Sequence, residues 1–263
     1  MPSTSKTSPV QPSVLAEGLA VAFLIRYHRS EVTLRETFVR LLDRFARHGG
    51  RDGRWSQQFW ALRGINFAAY PGDVVGIVGP NGSGKTTLLK ALAGILGADR
   101  GRVEVRGKVG CLMSFGVGFK PNLSGRENVF VNASILGLSQ REVAERLDKI
   151  VEFSELGDFI DAPVRTYSAG MKGRLGFSIA VHIDPDVLLL DEVLTVGDAA
   201  FRAKAGLILD RFRNSSKTVI IATHSMNLVT KSCTRALWLD HGQIRREGDP
   251  ETVCAAYAEA YGK

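Results

Sequence analysis

The sequence predicts an α/β fold, and three observations predict it. Short apolar runs at Asp73–Gly79 (DVVGIVG), Val187–Glu192 (VLLLDE) and Thr218–Ala222 (TVIIA) have the character of buried strands, the first of them β-branched like a parallel strand. The first of them enters a glycine-rich turn and then GKTTLLKALAGIL, whose leucines recur at helical spacing. At 263 residues the chain has room for one large α/β domain with a subdomain, read here as 13–263 behind a tail at 1–12.

The tail, MPSTSKTSPVQ at its start, has no apolar core behind its lysine and reads as a disordered segment rather than a signal peptide. The first strands follow, one ending near Tyr27 and the next beginning near Phe59. Between them lies an insertion, 28–58. Within it Thr33–His48 (TLRETFVRLLDRFARH) reads as one helix, opened by a Thr33/Glu36 capping box and closed by Gly49 and Gly50. Leu34, Phe38, Leu41, Leu42 and Phe45 share one face, and Arg35, Arg40, Arg44 and Arg47 occupy much of the rest. Such a helix packs on its own domain or lies on a charged surface.

Gly79 to Thr86 fill the pattern G-x-x-x-x-G-K-[ST], which chance would place in roughly one chain of this length in a hundred. Strand, glycine-rich turn and helix are the setting this motif requires. Its backbone N–H groups converge on phosphates at a helix N-terminus, so Gly79, Pro80, Asn81, Gly82, Ser83, Gly84, Lys85, Thr86 and Thr87 are candidate nucleotide-binding residues. Lys85 would reach the terminal phosphates and Thr86 would place its hydroxyl on Mg²⁺.

Further along, VLLLDE ends in Asp191 and Glu192 at the C-terminal edge of a buried strand, where parallel sheets place ligands. Alone the pair would read as a solvated strand end. With a phosphate loop in the same chain, Asp191 would hold Mg²⁺ through water and Glu192 would be the general base for the attacking water.

Pro121–His182 reads as a helical subdomain (121–183 at its widest). Its helices include Arg126–Leu136, a Ser139-capped helix with Glu142 at the capping-box position, and a helix capped by Ser168. From Asp184 the chain returns to the sheet. Arg235–Gly248 alternates apolar and polar around His241-Gly242 like a hairpin, and Glu251–Tyr261 is the final helix. No internal repeat is present.

With these motifs in place the chain resembles the nucleotide-binding subunit of an ABC transporter, over nearly its whole length from about Leu19. TYSAGMKGRLGFSIA, at Thr166–Ala180, occupies the place of that family's LSGGQ signature; Ser168 and Gly170 match, while Tyr167, Ala169 and Met171 depart. The resemblance implies a RecA-like mixed sheet core with an antiparallel β-subdomain, ATP and Mg²⁺ as cofactors, and a homodimer. In that dimer Ser168 and Gly170 contact the γ-phosphate held by the opposite chain. It also makes His224, in IIATHS, the switch histidine and Asp198, in VGDAAF, the loop aspartate at the dimer interface. The adenine would stack on an aromatic ahead of the loop, Tyr27 first and Trp60 second, unless either is plain core packing. The family's glutamine between subdomains is missing, and Ser114 in CLMSFGVGFK is the nearest, shorter candidate.

YSAGM, DEVLTVGDAAF and GFKPNLSGRENV, with FWALRGINF ahead of the loop, are similar to the subfamily that exports O-antigens, teichoic acids and capsular polysaccharides. This implies an ATPase driving a lipid-linked polysaccharide through a separate permease, peripheral on the cytoplasmic face of a bacterial inner membrane. Helix 33–48 would then meet that membrane surface or the pyrophosphate of the glycan lipid. A drug or lipid exporter and a soluble ATPase acting on nucleic acid are the alternatives. Ending at Lys263, the chain is expected to lack the C-terminal sugar-binding domain that some O-antigen exporters carry.

Composition agrees. No apolar run approaches the ~20 residues that span a bilayer. Cys111, Cys233 and Cys254 have no metal-ligand spacing and fit reduced core thiols. The net charge of +7 would serve nucleic acid or anionic lipid alike. The expectation is no nucleic acid, since the chain has neither two cassettes nor a long coiled coil.

Overall fold

The computed structural model describes residues 10–26, 56–113, 118–191 and 199–262. By internal contacts the chain divides into two compact units, Met1–Val21 with Ala61–Lys263, and Ala22–Trp60. The described strands are β1 (Val14–Arg26), β2 (Ser56–Ala69), β3 (Val74–Val78), β4 (Arg100–Val105) and β5 (Val109–Leu112). They continue with β6 (Val187–Asp191), β7 (Thr218–Ala222), β8 (Arg235–Asp240) and β9 (Gln243–Gly248). The described helices are α1 (Lys85–Leu92), α2 (Gly125–Ile135), α3 (Gln140–Ser154), α4 (Ala169–His182), α5 (Ala199–Arg213), α6 (Met226–Ser232) and α7 (Pro250–Tyr261).

Six strands form a mixed sheet in the order β5-β6-β7-β3-β8-β9, parallel except for the β8–β9 hairpin. A separate sheet has the order β2-β1-β4, with β1 antiparallel to β4. The three expected strands are buried at every position. Side chains on such a strand alternate between faces, so a continuous apolar run must meet apolar layers on both sides. On one side Val75, Ile77, Leu189, Ile220 and Leu237 pack with Leu88, Leu89 and Leu92 of α1 and with Leu19, Leu62 and Phe67 of the smaller sheet. On the other, Val74, Val78, Leu188, Leu190 and Val219 meet Phe177, Phe201, Leu209, Val253 and Tyr257 from the covering helices.

The helical subdomain has its own core, built from Val129, Ala133, Val143, Ile150, Leu175 and Ile179. Helix α4 serves both cores: Phe177 and Ala180 face the sheet, while Leu175 and Ile179 face the subdomain. Ser139 caps α3 in the expected box with Glu142, and Ser124 caps α2 in a second box with Glu127. Helix α1 is shorter than its leucine pattern, because the amides of Gly94 and Ile95 fold back onto the carbonyls of Ala91 and Lys90 and close it. The final helix starts at Pro250, with Asp249 as its cap.

Candidate functional site

Strand β3 delivers the chain into the phosphate loop at Gly79, and α1 begins at Lys85. The Lys85 side chain is buried, and its Nζ donates to the carbonyls of Gly79 (2.8 Å) and Pro80 (3.0 Å). The ammonium is thereby drawn back over the mouth of the loop, at the positive end of α1. Ser83 is 2% exposed, and its Oγ has no hydrogen-bond partner among the described residues. A buried hydroxyl in a glycine cradle beside an ammonium suits phosphate oxygens.

The loop rests on the β8–β9 turn, a support that the motif alone does not reveal. A Cβ at Gly79 would lie 2.1 Å from the Leu239 carbonyl oxygen, so the backbones touch there and only glycine fits. The Gly242 N–H donates to the Ser83 carbonyl at 2.9 Å, and the Arg63 N–H donates to the Gly242 carbonyl at 2.8 Å. Behind the turn, the buried Asp240 carboxylate accepts from the Tyr261 hydroxyl (3.0 Å) and Arg245 Nε (3.3 Å) and lies 2.7 Å from His241 Nδ1. Burial alone would raise this carboxyl, but Tyr261, His241 and Arg245 together hold it below the ordinary carboxylate range.

Asp191 ends β6 in register with Ala222 of β7, which is itself in register with Ile77 of β3. The acid therefore stands level with the strand that feeds the loop, at the same C-terminal edge of the sheet, and is 5% exposed. Asp191 and Thr86, in the first turn of α1, offer a carboxylate and a hydroxyl, oxygen donors of the hard kind that Mg²⁺ takes. Just past β7 the Thr223 N–H donates to the Ile77 carbonyl at 3.1 Å, tying that strand end to β3. His224 follows it, exposed at this edge.

Ser168 is the N-cap of α4: its exposed Oγ accepts from the Met171 N–H at 3.2 Å. Gly170 lies in the first turn. The departure at Tyr167 has a local cause. Its ring is buried in the subdomain core, and its hydroxyl donates to the Phe159 carbonyl beside Gly125. Burial pushes the phenol up, away from ionisation.

Glu192, Asp198, Tyr27, Ser114 and helix 33–48 lie outside the described residues. Trp60 belongs to the smaller unit, where it is half-buried. The described ends of β1 and β2 in that unit expose Phe23 and Phe59. Among the described residues no helix is long and apolar enough to cross a membrane, and no cluster of metal-ligating side chains occurs.

A fold with a loop of this kind at the edge of a mixed sheet, and a helical subdomain that ends in a Ser168-capped helix, defines a nucleotide-binding cassette. The model of the ABC transporter family matches residues 62–195, and the chain belongs to that family. It is 44% identical over 94% of its length to an O-antigen export system ATP-binding protein, RfbB, of Myxococcus xanthus, covering 56% of that protein. It is 43% identical over 79% of its length to a teichoic acids export ATP-binding protein, TagH, of Lactococcus lactis, covering 44% of it. The chain thus spans about half the length of these relatives. A dimeric ATP-binding cassette bound to ADP and Pi has the same fold, with a TM-score of 0.70 at 20% identity over 90% of this chain and 98% of that one.

Proposed function

We propose that this chain is the ATP-hydrolysing subunit of an exporter for a lipid-linked polysaccharide of the O-antigen, teichoic acid or capsule type. It works as a homodimer on a separate permease at the cytoplasmic face of a bacterial inner membrane. The observation that carries this reading is the 44% identity with an O-antigen export ATP-binding protein over 94% of the chain.

In this reading the loop amides and Lys85 hold the terminal phosphates of ATP. Thr86, and Asp191 through water, would hold Mg²⁺, which would supply charge neutralisation to the transferring phosphoryl group. Glu192 takes the proton from the attacking water, with His224 at the γ-phosphate. The opposite chain presents Ser168 and Gly170 to that phosphate from the N-terminus of α4, and Asp198 crosses the interface. Tyr27 or Trp60 stacks on adenine. Because phosphoryl transfer relies on positioning and charge, loss of one group slows turnover more than it weakens ATP binding.

Helix 33–48 is assigned to the membrane surface, where its arginines meet lipid headgroups or the glycan's pyrophosphate. Replacing Arg35, Arg40, Arg44 and Arg47 together tests this, and unchanged membrane assembly and transport-coupled ATPase activity would refute it. The reading as a whole is tested by recovering the chain from detergent-solubilised native membranes. It expects a multi-spanning permease to co-purify, with the ATPase activity of the recovered complex responding to lipid-linked glycan. Ribosomes or nucleic acid without a membrane protein would overturn it.

A further inference from the structure

We infer that Glu155 is a positioning residue that ties the signature helix α4 to helix α5 and thereby sets the rate of ATP hydrolysis rather than the affinity for ATP. The inference rests on the ATPase reading above.

Glu155 follows α3 in a left-handed conformation, φ 55° and ψ 32°. A helix commonly ends on such a residue, but sterics favour glycine there. A glutamate that keeps this backbone points to a use for its side chain. Its carboxylate accepts from two cations on two other helices: Oε1 from Lys204 Nζ of α5 at 2.9 Å, and Oε2 from Arg174 Nη1 of α4 at 3.4 Å. Lys204 also donates to the Phe153 carbonyl at 3.1 Å and lies 4.3 Å from the centroid of that ring. The Arg174 guanidinium lies 5.2 Å from the centroid of Phe201. Beneath the charges, Phe153, Phe177 and Phe201, one from each helix, stand 5.9–6.1 Å apart.

Both ends of this tie lead towards the proposed chemistry. Arg174 lies six residues along the helix that Ser168 caps. Helix α5 begins at Ala199, directly after the segment 192–198 that holds Glu192 and Asp198 in sequence. The groups are partly solvated, with side-chain exposures of 43% for Glu155, 32% for Lys204 and 18% for Arg174, so the bridges add little to stability. Without the carboxylate, α3 loses the group that joins it to both α4 and α5. The tie that is cut joins the helix capped by Ser168 to the helix that follows 192–198 in sequence.

Full-length wild type, Glu155→Gln, Glu155→Gly and Lys204→Arg are compared for ATPase kcat, KM for ATP and Tm. Glu155→Gln removes the charge at constant shape. Glu155→Gly also removes the carboxylate but relaxes the backbone, so a purely structural role predicts no loss of turnover beyond any loss of Tm. The expected result is a kcat lowered on the order of tenfold in both Glu155 variants, with KM within about twofold of wild type. The Tm of Glu155→Gly stays near wild type, and Lys204→Arg keeps most of the turnover. An undiminished kcat in Glu155→Gly, or a kcat loss that only follows Tm, overturns the inference while leaving the ATPase reading intact. A wild type that does not hydrolyse ATP overturns both.

Discussion

The Gly242 amide donates to the Ser83 carbonyl at 2.9 Å, so the phosphate loop is held from beneath by a hairpin turn far away in sequence. Gly242 has φ 75°, and a Cβ there would stand 2.4 Å from the Ala61 carbonyl oxygen. Gly242→Ala therefore strains the turn and moves its amide off Ser83. The expected cost is on the order of 2 kcal/mol of stability by urea unfolding, and ATP affinity falls in the protein that remains folded. Unchanged stability and unchanged affinity in a nucleotide titration would show that the turn does not hold the loop.

Two serines with the same local job separate folding from function. Ser139 and Ser168 each cap a helix through the side-chain oxygen. Replacing either with alanine costs about 1 kcal/mol through the cap alone. Only Ser168→Ala is expected to depress ATP turnover as well, because only Ser168 is assigned to the phosphate of the opposite chain. Equal turnover in the two variants at equal stability would remove that assignment.

Mild acid should loosen the junction of α3 and α4. His182 donates from Nδ1 to the Ser178 carbonyl at 2.7 Å and stands edge-on to Phe153 with ring centroids 5.2 Å apart. Burial, together with Lys149, Lys204 and Arg146, pushes its pKa below the usual histidine value. The unfolded chain then binds the proton more readily than the folded one. Stability is full above the unfolded pKa of about 6.5 and is lost as pH falls below it. Between pH 7.5 and 5.5 the Tm of the wild type should drop more than that of His182→Gln. Parallel curves would assign the acid sensitivity elsewhere.

What the sequence made legible follows the range of the forces involved. The phosphate loop, strands β3, β6 and β7, the His241-Gly242 hairpin and the Ser139 cap are local patterns, in which periodicity, turn chemistry and capping each act within a few residues. The Ser124/Glu127 box was equally local, and its S-x-x-E spelling was there to be read. The support of the loop was not legible, since Leu239 and Gly242 meet Gly79 and Ser83 only after β8 has docked beside β3. Nor was the Glu155 hub, whose partners come from two other helices. Tyr167 reads as a departure from a family spelling, and its reason appears only with the Phe159 carbonyl and Gly125 around its hydroxyl.

The measurement closest to the central claim is the behaviour of full-length Glu192→Gln with ATP and Mg²⁺. The variant should bind ATP with near wild-type affinity and sediment as a dimer only in its presence. Its turnover should fall at least 100-fold, on the order expected for loss of a general base. A variant that turns over ATP at nearly the wild-type rate, or stays monomeric at saturating ATP, would contradict hydrolysis at a site shared by two chains.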